Sequence, residues 1–600
     1  MKRILNILIV SFLMLTLIFT SCDLDTQPLN PSVFTADKAY SSPDGYLQGI
    51  AKLYAALGLS GQSGPASAEI ANVDAGTSPF LRTWWYMQEF TTDEVKWTQS
   101  DPGTPELSYT TYGTVNNPII SGLYYRLMFT ISLCNDYLKQ TTEDKIKERG
   151  HATYWTDIQN YRSEARFLRA LMYYYGLDAF GNMPFVTEKN PIGSYIPPQY
   201  TRKQLFEYVE SELLALDNDP NLKDPQQNQY GRADKAAIWM LLSRLYLNAE
   251  VYLSEVDANG NLVSKGTPKY DECKTFAQKI IDQAHYKLCP NYSQLFMADN
   301  GENADARQEM IFSINFDGHW TQSYAAQFLV DGSRGPNDNS FTQTSGISKT
   351  FKGSRATLAF IRNFWPDIDQ WMSGGKITDP AGAYTWTDGT PLGFDYASQG
   401  TLGAVIRQSD NRAIFFTRQC TLPMSQNAGS STFIYGWPSY KFTNISSKDS
   451  IPYYVDENNN PVQLIEYPSL DFPLMRLGEA YLNYAEACVR ISGSDCTDEK
   501  ALTVLNELRD RAGISTDHIN SFNLEYIFGE RSRELYWEGF RRTDLIRWDR
   551  FAGSNYNWEF KNGTPDGSPI PQFRCLFPIP TSDLGVNSNL KQNPGYSNGN

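Results

Sequence analysis

The sequence predicts a mainly α fold: stacked helical hairpins, tetratricopeptide-like in style, with a loop-rich, short-strand region packed on them. Three observations support it. Apolar and small residues recur at spacings of three and four through long stretches, as in RADKAAIWMLLSRLYLNAEVY from Arg232 to Tyr252. Ala and Gly among those positions let helix axes approach closely, as stacked hairpins require. Between two such regions lies a long segment rich in Gly, Asn, Ser, Asp and Pro.

The first helical region covers about 40–285. Its periodic stretches are Tyr46–Leu59, Ile119–Leu138, Ile158–Phe180, Arg202–Leu216, Lys235–Leu253 and Tyr270–His285. The second covers about 472–550, from Phe472 to about Trp548. The period is too irregular for a consensus repeat array. Residues of about 286–470 contain only short apolar runs, such as Met310–Asn315 and Ala413–Thr417, which read as short strands among loops. Two segments invite a calcium reading, Asp257–Asn261 and Asp456–Asn460. The first has Leu262 and Pro268 where such a loop needs Gly and Glu, so hairpin turns are the better account.

The N-terminus is an address. Lys2 and Arg3 precede an apolar run, Ile4–Phe19, that is too short and too terminal for a membrane span and reads as a secretory core. Phe19-Thr20-Ser21-Cys22 resembles a lipobox, so residues 1–21 are read as a lipoprotein signal peptide and Cys22 as the lipid attachment, with 22–600 a single unit. No later stretch is long and apolar enough to span a bilayer, which predicts a chain anchored to the membrane.

Composition narrows the chemistry. Of 600 residues, 52 are basic and 67 acidic, and the net charge of −15 becomes −17 once Lys2 and Arg3 leave with the signal. Such a body does not suit phosphate backbones, so no nucleic-acid partner is expected. Four histidines and scattered cysteines without metal-ligand spacing predict no metal site. No phosphate-cradling glycine loop or nucleophile elbow occurs, and no cofactor is assigned. The unusual number is the aromatic share: 13 Trp, 37 Tyr and 32 Phe make 14% of the chain. Tyr in such excess over Trp points to rings with a polar edge to satisfy.

Near the C-terminus the chain reads GERSRELYWEGFRRTDLIRW (Gly529–Trp548) and closes with LFPIPTSDLGVNSNLKQNPGY (Leu576–Tyr596). Together with the Cys22-Asp-Leu-Asp start and FLRALMYYYGLDAFGNMPF (Phe167–Phe185), these motifs resemble the SusD/RagB family of outer-membrane nutrient-binding lipoproteins. GRADKAA (Gly231–Ala237) and YKLCPNYSQLFMADN (Tyr286–Asn300) look most like the family's starch-binding prototype. The resemblance implies a right-handed superhelix of tetratricopeptide-like hairpins. It also implies non-catalytic capture of a glycan at the cell surface, the outer membrane as location, and a SusC-like TonB-dependent transporter as partner. Relatives that bind peptide or glycopeptide leave that reading open as well.

A neutral glycan is held by rings laid against its C–H faces and planar polar groups aimed at its hydroxyls. The stretch Val73–Trp97 resembles the prototype's ligand loop. By that resemblance Asp74 is an acidic acceptor, Arg82 a guanidinium donor and Trp97 a stacking ring, while Tyr324, in Asp317–Tyr324, is a second stacking ring. Each has a structural alternative: Arg82 can instead pair with Asp74, Asp93 or Glu94, and both rings can pack. Trp97 adjoins the loop Ser100–Gly103, where a ring can reach solvent. Trp84, Trp85 and Tyr86 are consecutive, cannot all face one ligand, and read mainly as packing. A third stacking Trp has no clear counterpart. Its stretch, Ser345 to Phe351, offers only Phe351, with Trp320 as an alternative ring, and an amide-bearing ligand residue is replaced near Asp101.

Glu530, Glu534 and Glu538 share one helical face among Arg531, Arg533, Arg541 and Arg542. Paired carboxylates could serve a glycoside hydrolase. Locking the helix by Arg–carboxylate pairs is the favoured reading.

Overall fold

The computed structural model describes residues 35–331, 345–348, 353–377, 410–415 and 436–597, apart from scattered positions inside these ranges. The signal segment 1–21, Cys22 and Phe351 lie outside the described residues.

The frame is helical. Its longer members are α1 (Pro43–Gly58), α2 (Phe80–Glu89), α3 (Pro118–Gln140), α4 (Trp155–Ala179), α5 (Arg202–Asp217), α6 (Lys235–Leu247), α7 (Tyr270–Gln283), α8 (Tyr324–Asp331), α9 (Leu477–Ser492), α10 (Glu499–Arg511), α11 (Leu524–Leu535) and α12 (Arg541–Arg547). Local chemistry sets their ends. Asn117 caps α3 by accepting from the Ile119 and Ile120 amides, with Pro118 in the first turn. Thr201 and Gln204 form a capping box at α5, and α9 stops at Gly493, which takes the left-handed conformation.

From α3 onward each helix packs on its predecessor in the stack: α3 on α4, α4 on α5, α5 on α6, α6 on α7, then α7 directly on α9 and α9 on α10. The described residues of 286–470 therefore form an excursion that leaves the stack after α7 and returns at α9. Its two ends are tied by an antiparallel pair, β2 (Met310–Ile314) with β6 (Phe472–Arg476). β6 departs from the helix expected from Phe472 onward. Pro473 cannot donate into a helix, and five consecutive buried residues do not distinguish a buried strand from a helix by periodicity. A second pair, β1 (Val95–Trp97) with β3 (Ser354–Ala356), joins the first helical region to the excursion. Both calcium-like segments are hairpin turns. Asp257 accepts from the Asn259 and Asn261 amides, and Asp456 does the same for Asn458 and Asn460 between β4 (Tyr453–Val455) and β5 (Pro461–Gln463).

Much of the aromatic surplus is interior. Tyr173, Tyr174 and Tyr175 in α4 are buried, and several interior phenols find acceptors: Tyr173 donates to the Val186 carbonyl (2.8 Å), Tyr252 to Asp178 (2.9 Å) and Tyr292 to the Glu534 carbonyl (2.7 Å). Among the described residues no helix is long and apolar enough to cross a membrane. The described cysteines are unpaired, and all but the half-buried Cys575 are buried.

Asp471, just before β6, gathers the excursion's two ends. Its carboxylate accepts from the Phe316 amide (2.8 Å) and the Tyr230 hydroxyl (2.9 Å), and its own amide donates to Asn300 (2.8 Å). Burial pushes this carboxyl up to about 7, from an ordinary 3.8. The folded state thus holds the proton more tightly than the unfolded chain, so this contribution is complete below about pH 4 and is lost as pH rises through 7. Relative to Asp471→Asn, the wild type should lose a few kcal/mol of unfolding free energy between pH 4 and 8. Urea titrations at pH 4, 6 and 8 read this directly, and a pH-independent difference between the two proteins would refute it.

Candidate functional site

The candidate residues meet where the helical frame touches the excursion. Asp74 starts a turn whose Thr77 and Ser78 amides donate to its carbonyl (3.0 and 2.9 Å), and its carboxylate takes the Thr77 amide again (3.1 Å). The turn brings Gly76 over the first residues of α2. A β-carbon at Gly76 would stand 3.0 Å from Asp74 Oδ1, 3.4 Å from a terminal nitrogen of Arg82 and 3.5 Å from the Tyr324 ring. Three of the four predicted site residues therefore converge on one glycine at the surface, with Asp74 exposed and Arg82 and Tyr324 half-buried.

Arg82 is half-buried and held from two sides. Its Nε donates to the Tyr86 hydroxyl and a terminal nitrogen donates to the Gly76 carbonyl, both at 2.8 Å. The guanidinium also lies 5.3 Å from the Tyr86 ring centre and 5.1 Å from that of Phe328. Asp93 and Glu94 serve elsewhere. Asp93 takes both prongs of Arg541 (2.7 Å each), and Glu94 accepts from Ser532 (2.8 Å). Tyr324 opens α8, where Ser323 anchors the helix by donating to the Gly58 carbonyl (2.5 Å) and capping the Ala325 amide (3.0 Å). Its ring is half-buried and meets Tyr467 edge-on at 5.8 Å.

Trp97 belongs to the same cluster but not to its open surface. Its ring is only 7% exposed. It stacks on Phe90 (5.6 Å, 27°), lies 5.4 Å from Phe328, and packs so tightly on Gly353 that a β-carbon there would fall inside the indole. Its Nε1 donates to Asp101 (2.6 Å). The prospect of a solvent-facing ring is thus corrected. Trp97 ends β1 rather than sitting in a loop, and strand pairing with β3 lays Gly353 over it. The stretch read as a ligand loop likewise contains α2. Trp84, Trp85 and Tyr86 are buried, as their adjacency predicts.

Two residues of the cluster escaped sequence reading. Phe328 is the hub on which Trp85, Tyr86, Phe90 and Trp97 converge, all within 6.2 Å. Its position four residues after Tyr324, one helical turn on, was the available signal. Tyr467 has no local signal.

The C-terminal carboxylates are saturated. Glu530 pairs with Arg412 (2.7 Å) and Arg533 (2.6 Å). Glu534 pairs with Arg476 (2.6 Å), Arg412 (3.1 Å) and Arg511, and Glu538 with Arg476 (2.7 Å) and Lys441 (2.7 Å). All three are buried. Arg412 and Arg533 outweigh burial and hold the Glu530 carboxyl down at about 2, and Arg511, Arg476 and Arg412 hold Glu534 well below the carboxylate range. A general acid needs the opposite shift and a path to substrate. Glu538 lies beyond α11, which ends at Leu535 before the positive φ of Trp537, so the three do not share the one helical face expected of them. Their Arg and Lys partners nonetheless lock the segment in place and leave it unsuited to general acid catalysis.

Residues 308–596 match the model of the SusD family. The chain is 33% identical to the starch-binding protein SusD of Bacteroides thetaiotaomicron, across 96% of either chain. It is 24% identical to a SusD-like protein of Formosa agariphila, over 73% of this chain and 72% of that one. Among solved structures, a laminarin-binding SusD-like protein superposes with a TM-score of 0.60 at 18% identity, covering 93% of this chain and all of its own. Surface glycan-binding protein A of Bacteroides thetaiotaomicron, in complex with laminarihexaose, gives 0.57 at 17% identity over 92% of this chain and all of its own.

Proposed function

The chain belongs to the SusD family, and we propose that it captures a polysaccharide or oligosaccharide at the cell surface and passes it, chemically unchanged, to a SusC-like TonB-dependent transporter. The family binds carbohydrate without catalysis, and the saturated carboxylates of α11 agree with that. The observation that carries the reading is the convergence of Asp74, Arg82 and Tyr324 around Gly76. An acceptor, a fixed planar donor and a ring then stand together at the surface, the combination a sugar unit needs. Trp97 supports them from behind, its indole held by Asp101.

A starch-like α-glucan is the first ligand to test, because the relative that matches end to end is named for starch. A different glycan is the second reading. Its support is that the Trp97 faces are packed, which removes one wall of a curved aromatic arc, and that solved neighbours bind laminarin-type ligands. Isothermal titration with maltoheptaose and laminarihexaose separates the two, and heat from neither would end the glycan reading. Release of reducing ends from either polymer would instead favour a hydrolase, and competition by peptides a glycopeptide receptor.

The lipid anchor at Cys22 and the signal peptide 1–21 complete the proposal. One lipidated residue tethers the unit 22–600 to the outer membrane beside its transporter. Native-membrane pull-down should recover a barrel partner. Mass spectrometry of the mature N-terminus should find a lipidated Cys22.

A further inference from the structure

Beside the candidate site lies an opening that the proposed site does not include. It is a cleft of about 820 Å³ between the loop Asp317–Thr321 and the β4–β5 hairpin. Trp320 stands at its edge, 82% exposed, and Tyr453 on the hairpin is 62% exposed. An indole held this far into water gains little from folding and leaves a ring face free for contact.

The loop that presents it is built rather than loose. Asp317 Oδ1 accepts from the amides of His319 (3.0 Å), Trp320 (2.7 Å) and Thr321 (2.9 Å), and the Asp317 carbonyl accepts from Ser469 (3.1 Å). His319 stacks flat on Tyr454 across the gap (3.8 Å, 22°) and meets Trp320 at 4.4 Å. The three rings thus form one contiguous aromatic cluster on a preorganised loop, with Trp320 edge-on to His319 and its most exposed member. The cleft also adjoins the candidate site. Gly318 packs on the Tyr467 carbonyl, and the Tyr467 ring contacts Tyr324.

Resting on the glycan reading above, we propose that this cleft is a second carbohydrate platform. It would receive the sugar units of a polymer that extend past the Asp74–Arg82–Tyr324 site, with Trp320 as the stacking ring. The wall chemistry selects a neutral chain. Acids line the cleft, but Asp299 is taken by Ser447, Asp471 by Phe316 and Tyr230, and Asp317 by its own loop. The Asp299 and Asp317 carboxylates repel an anionic polymer, while Lys448 and Ser450 on the same wall offer donors to hydroxyls.

The test compares chain lengths in the full protein: soluble starch and laminarin as polymers, maltoheptaose and laminarihexaose as short probes. Trp320→Ala, a surface change that leaves the fold intact, should weaken binding of the preferred polymer about fivefold to tenfold while leaving the matching oligosaccharide within about twofold. Arg82→Ala should weaken both. Unchanged polymer affinity in Trp320→Ala would overturn the platform, and equal losses for polymer and oligosaccharide would do so too by making Trp320 part of the first site. Wild-type protein that binds no glycan would overturn the functional reading itself, and this inference with it. Lys448→Ala gives an independent check, with a smaller loss expected for polymer alone.

Discussion

Glu534→Ala should cost the protein about 3–5 kcal/mol of folding stability, among the largest losses any single substitution here can produce. The carboxylate is buried and sits among Arg412, Arg476 and Arg511. Removing it leaves three buried guanidiniums sharing what remains of Glu309, Glu530 and Glu538, with no water to compensate. These pairs also bind distant parts of the chain together. Arg412 lies in the excursion, Arg476 in β6 and Arg511 in α10, so the loss falls on the junction itself. Chemical denaturation is the measurement, with Glu525→Ala as control. Glu525 pairs with Arg550 in a more exposed position, and its loss should cost less than about 1 kcal/mol. Equal losses for the two would refute the structural role assigned to the α11 carboxylates. Acid should have a similar effect in the wild type. The Glu530 and Glu534 carboxyls are held below their ordinary value of 4.5. They contribute stability above that pH, and the contribution is lost as pH falls toward 2.

Arg82→Ala should reduce glycan affinity about tenfold to a hundredfold without lowering stability by a comparable amount. A charged hydrogen-bond donor aimed at a ligand is worth roughly 1.5–3 kcal/mol, and each 1.4 kcal/mol is about a factor of ten. The contrast with stability follows from position. Arg82 is half-buried at the surface beside the half-buried Gly76, and of the groups it would leave only the Tyr86 phenol is buried. Arg82→Lys should not restore binding, because an ammonium cannot engage Tyr86, the Gly76 carbonyl and adjacent hydroxyls in one plane. Tyr324→Ala should fall on the same side, about tenfold, through loss of ring contact. Titration of all three variants with the best wild-type ligand decides the matter. Wild-type affinity in Arg82→Ala would remove the Asp74–Arg82–Tyr324 cluster as the binding site.

Helices that carry their own caps and periodicity are legible in the sequence. Asn117 and Pro118, Thr201 and Gln204, and the Gly after Ser492 announce their boundaries within a few residues. Asp257 and Asp456 likewise announce turns, because an aspartate bonding the amides two and four residues on is a local event. Phe472–Arg476 and Phe80–Glu89 were misread for the opposite reason. A five-residue apolar run and an aromatic-rich segment are ambiguous until a partner strand or a packed neighbour is known. Trp97 is the clearest case. Its identity and neighbours in sequence describe a ring beside a polar loop, and only β3, contributed from beyond residue 350, lays Gly353 over its face.

The amino-acid sequence by itself determined the helical frame, the anionic character, the family motifs and the residue types at the candidate site, since each depends on composition or on spacings within a turn or two of helix. Tertiary structure alone decided which of those residues share a space and which ring faces remain open. It brought Asp74 and Arg82 to Tyr324, closed over Trp97, left Trp320 in water and surrounded Glu534 with arginines. Most of those outcomes depend on pairings between segments far apart in the chain, such as Asp74 with Tyr324 and Trp97 with Gly353, where the free energy comes from burial and charge compensation rather than from any local pattern.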